Sequence, residues 1–303
     1  MKKNSPFFSV VIPTYNRAEK LKETIGSVLR QTYSDYELLV MDDGSTDHSE
    51  TVVKDLADDR IRYEWAPNSG GPATPRNRGI AAAAAPWISF LDADDIWYPT
   101  RLAQVAEAIK QHPVADVFCH NEMLRKVGAD GMTLLQYGPF EADFYRIMLT
   151  QGNRLSTSAV TVRREFLFEH QLRFNEASDY VIVEDYDLWL RLANAGAEFF
   201  FLSKALGEYI IETDNISHAA GRARHNHQVL LKDHVYKIQR FETNRDKLWR
   251  EIRSRLEFEE AREVLGQGKA FKGFCMLVGC ALMNPWNTLK VVASKTQYKA
   301  KQG

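Results

Sequence analysis

The chain has 303 residues, 39 basic and 40 acidic side chains and a formal net charge of -1, enough length for one large domain with an appendage. Hydrophobic residues make up 45% and charged residues 26%, which excludes collagenous, mucin-like and disordered chains and removes any need for metal or disulfide staples. The balance of charge also excludes a general nucleic-acid binder.

The opening segment, MKKNSPFFSVVIPTYNR, is basic, but its apolar stretch is short and broken by Pro13, so no signal peptide is expected. Phe7 to Ile12 reads as a strand, and Arg17 to Gln31 as a helix with Ala18, Leu21, Ile25, Val28 and Leu29 at helical spacing. The alternation continues with a strand at Glu37 to Met41, a helix at Ser49 to Leu56, a strand at Ile61 to Trp65, a helix at Pro75 to Ala85 and a strand at Trp87 to Leu91. A helix from Thr100 to Gln111 and a strand from Asp116 to His120 follow. Such alternation predicts an α/β fold with a mostly parallel sheet covered by helices on both faces. Gly128 to Gly138 then reads as a hairpin with GAD at its tip, Glu184 to Ala195 as a helix, and Phe199 to Leu202 and Leu206 to Ile210 as strands. One long charged helix is expected from Ala223 to Leu265.

Parallel sheets bind ligands beyond the carboxyl ends of their strands, so the segments that matter are PTYNR, DDGSTD, NSGGPATPRN and DADD. In DDGSTD, Gly44 permits a tight turn, and Ser45, Thr46 and Asp47 can cap the next helix. Asp43 is either part of that acidic turn or a carboxylate that accepts the imide N–H of a uracil-type base. In DADD, Asp92, Asp94 and Asp95 repel one another unless a cation or a set of donors compensates. Mg²⁺ or Mn²⁺ with diphosphate oxygens is one solution; a solvated loop capping the helix near Pro99 is the other. Arg76 begins a helix, where guanidinium and helix N-terminus can face phosphate together. Arg17 is second to it, and Arg78 reads as a surface residue. Asp185 begins an amphipathic helix with Leu188, Trp189 and Leu192, placed either to complement the helix dipole or to act as a base.

The ordered segments SVVIPTYNR, ELLVMDDGSTDHS, GGPATPRNRGI, WISFLDADDIWYP and VEDYDLWLRLA resemble the pattern of glycosyltransferase family 2 on a GT-A fold, over about residues 7 to 212. The resemblance implies an inverting transferase that takes a sugar from a nucleotide diphosphate donor, UDP-sugar first, with a Mg or Mn cofactor. It places Asp43 on the uracil, Pro13, Tyr15, Arg17, Arg76, Asp92 and Asp94 around the donor, and Asp94, Asp95 and His218 on the metal. Asp185, second position of the ED motif, becomes the catalytic base, with Glu184 and Asp187 as competing carboxylates. The acceptor is then a growing envelope polysaccharide or a lipid-linked glycan. The stretch YIIETDNISH departs from the family's YRxH-like pattern, which leaves the metal role of His218 open beside a capping or solvated one. His225 and His227 lack the spacing of helical metal ligands and read as surface residues.

Trp97, Tyr98, Tyr186 and Trp189 either line an acceptor cleft or pack in the core, and core is preferred for Trp189. Ala81 to Ala85 reads as close helix packing. Cys119, Cys275 and Cys280, odd in number and without CxxC spacing, predict a reducing cytoplasm. No apolar run reaches the ~18 residues of a membrane span. The last 40 residues carry six lysines and no Asp or Glu. Their apolar FCMLVGCALM segment, followed by NPWNTLKVV, suggests either a helix lying on anionic lipid at the inner face of the cell membrane or a buried helical pair. The expected division is a catalytic domain over 1–220, with nucleotide half 7–120 and acceptor half 121–220, and a helical extension over 221–303. Two rival functions are a sugar-1-phosphate nucleotidyltransferase, whose Gly-rich loop PTYNRAEK lacks, and a non-catalytic nucleotide-sugar scaffold, which Asp94 and Asp185 argue against.

Overall fold

The computed structural model of the protein describes residues 5–211, 220–266 and 268–283. The chain divides into two compact units, Met1–Tyr145 with Arg154–Leu230, and Arg146–Asn153 with Leu231–Gly303.

In the first unit, β1 (Phe8–Thr14), β2 (Tyr36–Asp42), β3 (Ile61–Trp65) and β4 (Trp87–Phe90) pair in parallel in the order β3-β2-β1-β4. All seven residues of β1 are buried, as a central strand covered on both faces requires. Helices α1 (Ala18–Leu29), α2 (Ser49–Asp55) and α3 (Ala73–Ala82) connect these strands, and α4 (Arg101–Gln111) follows the short β5 (Ile96–Trp97). The closest approach of α3 to the sheet lies at Gly79, where an added Cβ would sit 2.3 Å from Val11 Cγ1; of Ala81 to Ala85, Ala83 and Ala85 are buried while Ala81 and Ala84 are exposed.

The sheet then becomes mixed. β6 (Val117–Lys126), β7 (Met132–Leu135), β8 (Val160–Arg163) and β9 (Phe199–Ile211) extend the order to β4-β8-β6-β9-β5, with β7 paired to β6 as the expected hairpin. β8 is antiparallel to both β4 and β6, whereas β6 and β9 are parallel. The two strands expected at 199–210 are one strand whose register shifts near His120 and Asn121, where the Asn121 side chain donates to the Ser203 carbonyl. Between β7 and β9 lie α5 (Phe144–Gln151), a one-turn helix at Thr157–Ala159, α6 (Arg164–Glu169) and α7 (Glu184–Asn194).

The single long helix expected at 223–265 is broken. α8 (Ala220–Asp233) runs into a wide turn at His234–Ile238, and α9 begins anew at Arg245 and ends at Gly266. Gln239 is extended and its side chain holds the break, donating to the carbonyls of Val235 and Glu242 and accepting from the Glu242 amide. Asn244 then caps α9 by accepting the Lys247 N–H at 2.9 Å. In the second unit α9 pairs with α10 (Ala270–Met283). NPWNTLKVV and the remainder of the tail lie outside the described residues.

Candidate active site

Strand order sets the site. From β1 the chain steps outward through β2 to β3 and returns on the other side of β1 as β4, which makes the carboxyl end of β1 a topological switch point. β1 pairs with β2 as far as Thr14, but with β4 only to Val11. Val11 accepts from Leu91 on the β4 side and Thr14 from Asp43 on the β2 side. By alternation, the missing N–H of Pro13 faces the side that β4 has left, so proline there breaks no ladder bond.

The first loops are joined by neutral hydrogen bonds. Asn16, in the left-handed region at φ 49°, accepts the Thr46 and Asp47 amides at 2.7 and 3.3 Å and donates its own N–H to Ser45 Oγ. Tyr15 is 46% exposed at the strand end, so its ring is not part of the core. Asp47 caps two helices, accepting from Ala18 N at 3.0 Å and from Ser49 N and Oγ at 3.0 and 2.6 Å. Burial raises its pKa, but the Ser49 hydroxyl and these amides outweigh that and hold it below the usual carboxylate value. Asp42 accepts from Ser45 N and Tyr63 Oη, both at 2.7 Å. Asp43 is buried and gripped by Ser69, whose N–H and hydroxyl reach both carboxylate oxygens at 2.9–3.2 Å. Gly44 permits this closure: at φ +87°, a Cβ would fall 2.5 Å from the Asn68 nitrogen.

The loop after β4 is built from charges. Arg17 pairs with Asp94 at 2.5 Å, which joins the ends of β1 and β4. Arg76 does not face outward as its helix-start position suggested. It is buried, with one arm on Asp92 and the other on Glu184, each at 2.6 Å. Burial by itself would weaken its charge, but Asp92 and Glu184 more than compensate. Arg76 therefore ties the DADD loop to the start of α7. Arg78 is half-buried rather than on the surface and donates to the Asp42 carbonyl at 2.6 Å. Asp95 is also inside, accepting from Ser158 Oγ at 2.5 Å and Ile210 N at 2.9 Å. With both of its oxygens held by protein donors, it shapes the loop and braces it against β9.

Asp185 accepts from Thr157 Oγ1 at 3.1 Å and from the Tyr186 amide at 2.6 Å. Burial raises its pKa above the ordinary carboxylate value, and Arg76 opposes the rise. Glu184 is pushed to about 7, also by burial. Asp187 is committed elsewhere, to Arg191 at 2.6 Å. The residues that join the two acidic segments, Thr157 and Ser158, were not singled out in the sequence. Ser158 accepts the Asp92 amide as well as donating to Asp95, and Thr157 beside it holds Asp185. The only local signal was the run of small polar residues in LSTSAV. Tyr209 was missed too. Burial and the charges of Asp95, Asp92, Asp94 and Asp185 push its phenol above the ordinary range.

The expected aromatic cleft lining is mostly core. Trp97 is buried beneath Arg101, 3.9 Å from its ring centre, and donates to the Ser158 carbonyl. Trp189 packs on Phe90 and Phe174, and the buried Tyr186 meets His227 edge-on. His225 is exposed. His218 lies outside the described residues. Among the described residues no three His, Cys, Asp or Glu side chains converge as a ready-made metal site. The carboxylates still fit an added cation: Asp92 and Asp94 lie half-buried at the strand end, where the positive charges of Arg17, Arg76 and Lys20 oppose them. Burial and Asp92 raise the pKa of Asp94 despite its arginine.

Fold and crevice together define an α/β protein of the GT-A type. A family model described as Glycosyl transferase family 2 matches residues 9–164, just over half of the chain, and the protein belongs to that family. An uncharacterised glycosyltransferase of Nostoc sp. is 38% identical over 170 residues, 52% of this chain and 51% of that protein, so the chain spans about half the length of this relative. The UDP-Glc:alpha-D-GlcNAc-diphosphoundecaprenol beta-1,3-glucosyltransferase WfgD of Escherichia coli is 28% identical over 184 residues, 61% of this chain and 68% of that one. Among solved structures, S. aureus TarS 1-349 in complex with UDP-GlcNAc matches with a TM-score of 0.65 at 22% identity, covering 82% of this chain and 71% of that chain, a likeness of fold.

Proposed function

We propose that the protein is an inverting glycosyltransferase that moves a sugar from a UDP-sugar to a hydroxyl of a lipid-linked or growing envelope glycan. The observation that carries this reading is the linkage of the Glu184–Asp185 pair to the DADD loop, Glu184 through Arg76 to Asp92 and Asp185 through the adjacent Thr157 and Ser158 to Asp95. Asp185 takes the acceptor hydroxyl proton as that oxygen bonds to the anomeric carbon, and the breaking bond leaves its electron pair on the departing UDP. Burial raises its pKa, which strengthens it as a base, and Arg76, the Tyr186 amide and the Thr157 hydroxyl favour its ionised form. Asp43, oriented by Ser69, receives the uracil imide, and the exposed Tyr15 ring covers the base.

Asp94, with Asp92 beside it, is the proposed ligand for Mg²⁺ or Mn²⁺, and a bound ion would supply positive charge for the leaving diphosphate. Arg17, already on Asp94, adds to that charge. Asp95 supports the ion through loop shape. The donor class draws on TarS and WfgD, whose names carry UDP-GlcNAc and UDP-Glc, and the lipid-linked acceptor on the diphosphoundecaprenol in the name of WfgD. Such an acceptor lies at a membrane, which the protein would meet from its cytoplasmic face.

Thermal unfolding with UDP, GDP, dTDP and a panel of UDP-sugars, with and without Mn²⁺, tests the reading. A ligand at about 100 times its Kd adds about 2.7 kcal/mol, so a Mn²⁺-dependent rise with one UDP-sugar is expected. No rise with any nucleotide would overturn the nucleotide-sugar donor and with it this reading.

A further inference from the structure

The second unit carries a surface that sugar transfer does not use. α10 (Ala270–Met283) holds Phe271, Phe274, Cys275 and Val278 on one stripe, at the i, i+3, i+4 and i+7 spacing that a helical face requires. In a helix packed by its apolar side this stripe would be covered, yet here it faces solvent. Phe271 is 83% exposed, Phe274 62% and Val278 40%, and Cys275 is exposed as well. The face turned toward α9 is the small one. Gly273 is buried, and a Cβ there would fall 2.5 Å from Leu265 Cγ and 3.1 Å from the Ala261 carbonyl. Glycine therefore lets the helices approach closely and turns the phenylalanines outward. A stripe with two exposed phenylalanines marks an interaction surface.

Its surroundings select the partner. Lys272 flanks the stripe on the same helix and is exposed, and from Val264 to Gly303 the sequence holds six lysines and no acidic residue. At 14 residues and about 1.5 Å per residue, α10 is too short to cross a hydrocarbon core of about 30 Å. Among the described residues no helix is long and apolar enough to span a membrane. An outward apolar stripe flanked by the exposed Lys272, in a lysine-rich sequence without acidic residues, fits a helix lying in the plane of an anionic bilayer, with rings among the acyl chains and ammonium groups at the headgroups.

We infer that the outer face of α10 docks the protein on anionic lipid through Phe271, Phe274 and Val278, with Lys272 as its electrostatic partner. The inference deepens the lipid-linked acceptor reading above and rests on it for its purpose, though the binding itself needs no acceptor.

The test is cosedimentation of the full chain with vesicles of phosphatidylcholine alone and of phosphatidylcholine with 30% phosphatidylglycerol, alongside size-exclusion chromatography and the UDP thermal shift on the same preparations. The wild-type chain is expected to pellet with the anionic vesicles at least tenfold more than with neutral ones. Phe271→Ser/Phe274→Ser is expected to lose at least tenfold of that partition, while keeping its unfolding temperature and UDP response because both side chains are exposed. Lys272→Glu is expected to weaken binding at low salt and to matter little at high salt. Equal pelleting of wild type and the double variant would overturn the inference. So would a chain that stays in solution with both vesicles, and a dimer that dissociates on Phe271→Ser/Phe274→Ser without vesicle binding would assign the stripe to a second copy. Vesicle binding without any nucleotide shift would defeat the transferase reading and leave the docking face standing; the reverse result would do the opposite.

Discussion

In the loop after β2, Asp42, Asp43 and Asp47 accept hydrogen bonds from Ser45, Tyr63, Ser69, Ser49 and Ala18, all uncharged donors. In the loop after β4, Asp92 and Asp94 instead take the buried Arg76 and Arg17, and Asp95 is driven well above the ordinary carboxylate range by burial and by Glu122 and Asp94. Both loops are short acidic runs in the sequence. The first is settled by neutral donors of its own neighbourhood; the second draws in two arginines and still has the pKa values of Asp94 and Asp95 pushed up. Local hydrogen bonds make a rigid shape that reads a ligand, whereas an unbalanced buried cluster calls in a counter-charge.

The comparison breaks most sharply at Asp185. Asp185→Asn should lower kcat by about 10²–10⁴-fold, the range of a general base, with UDP-sugar affinity changed less than about threefold; turnover near wild type would remove Asp185 from the chemistry. Arg76→Met leaves Asp92 and Glu184 without their shared cation and should destabilise the fold by about 3–5 kcal/mol, read as a fall in denaturant midpoint. If the midpoint holds, Arg76 is not the bridge between the DADD loop and α7.

A third prediction concerns pH. Burial pushes Glu122 from the ordinary 4.5 to about 7, with its Tyr137 hydrogen bond opposing the rise. The fold thus favours the protonated acid: stability from this group is fully present below pH 4.5 and is lost as pH rises to about 7. Glu122→Gln should flatten that decline and raise stability at pH 8 by up to about 3 kcal/mol; an unchanged slope between pH 4.5 and 7 would show that another group is responsible.

The two loops should then separate by metal. Asp94→Ala should abolish the Mn²⁺ dependence of UDP-sugar affinity measured by calorimetry. Asp43→Ala should weaken UDP with and without Mn²⁺ by the same factor, about 10–100-fold for a charge-assisted hydrogen bond. Equal metal sensitivity in both variants would erase the distinction. The smallest effect is expected at Thr157, where Val removes the hydrogen bond to Asp185. Thr157→Val should lower kcat by about 3–10-fold with little change in KM, and Thr157→Ser should restore it.

The sequence by itself determined the nucleotide half of the sheet. The apolar runs of β1, β2 and β4, the helical periodicity of α1 and the polar strand ends are local patterns whose readings need no partner. It also marked Asp43, Asp94 and Asp185 as carboxylates at strand or helix ends. Only the tertiary structure decided what each of them is held by: Ser69 for Asp43, Arg17 for Asp94 and Thr157 for Asp185. Arg76 turned inward because two carboxylates distant in sequence, Asp92 and Glu184, meet at its guanidinium. Thr157 and Ser158 became the link between the acidic segments because β8 inserts between β4 and β6. The tail was ambiguous for the same reason: an apolar helix reads alike buried or exposed, and the placement of Gly273 against α9 settled which face of α10 meets water. Periodicity is carried by neighbours along the chain, while the pairing of charges and the covering of faces depend on segments that only folding brings together.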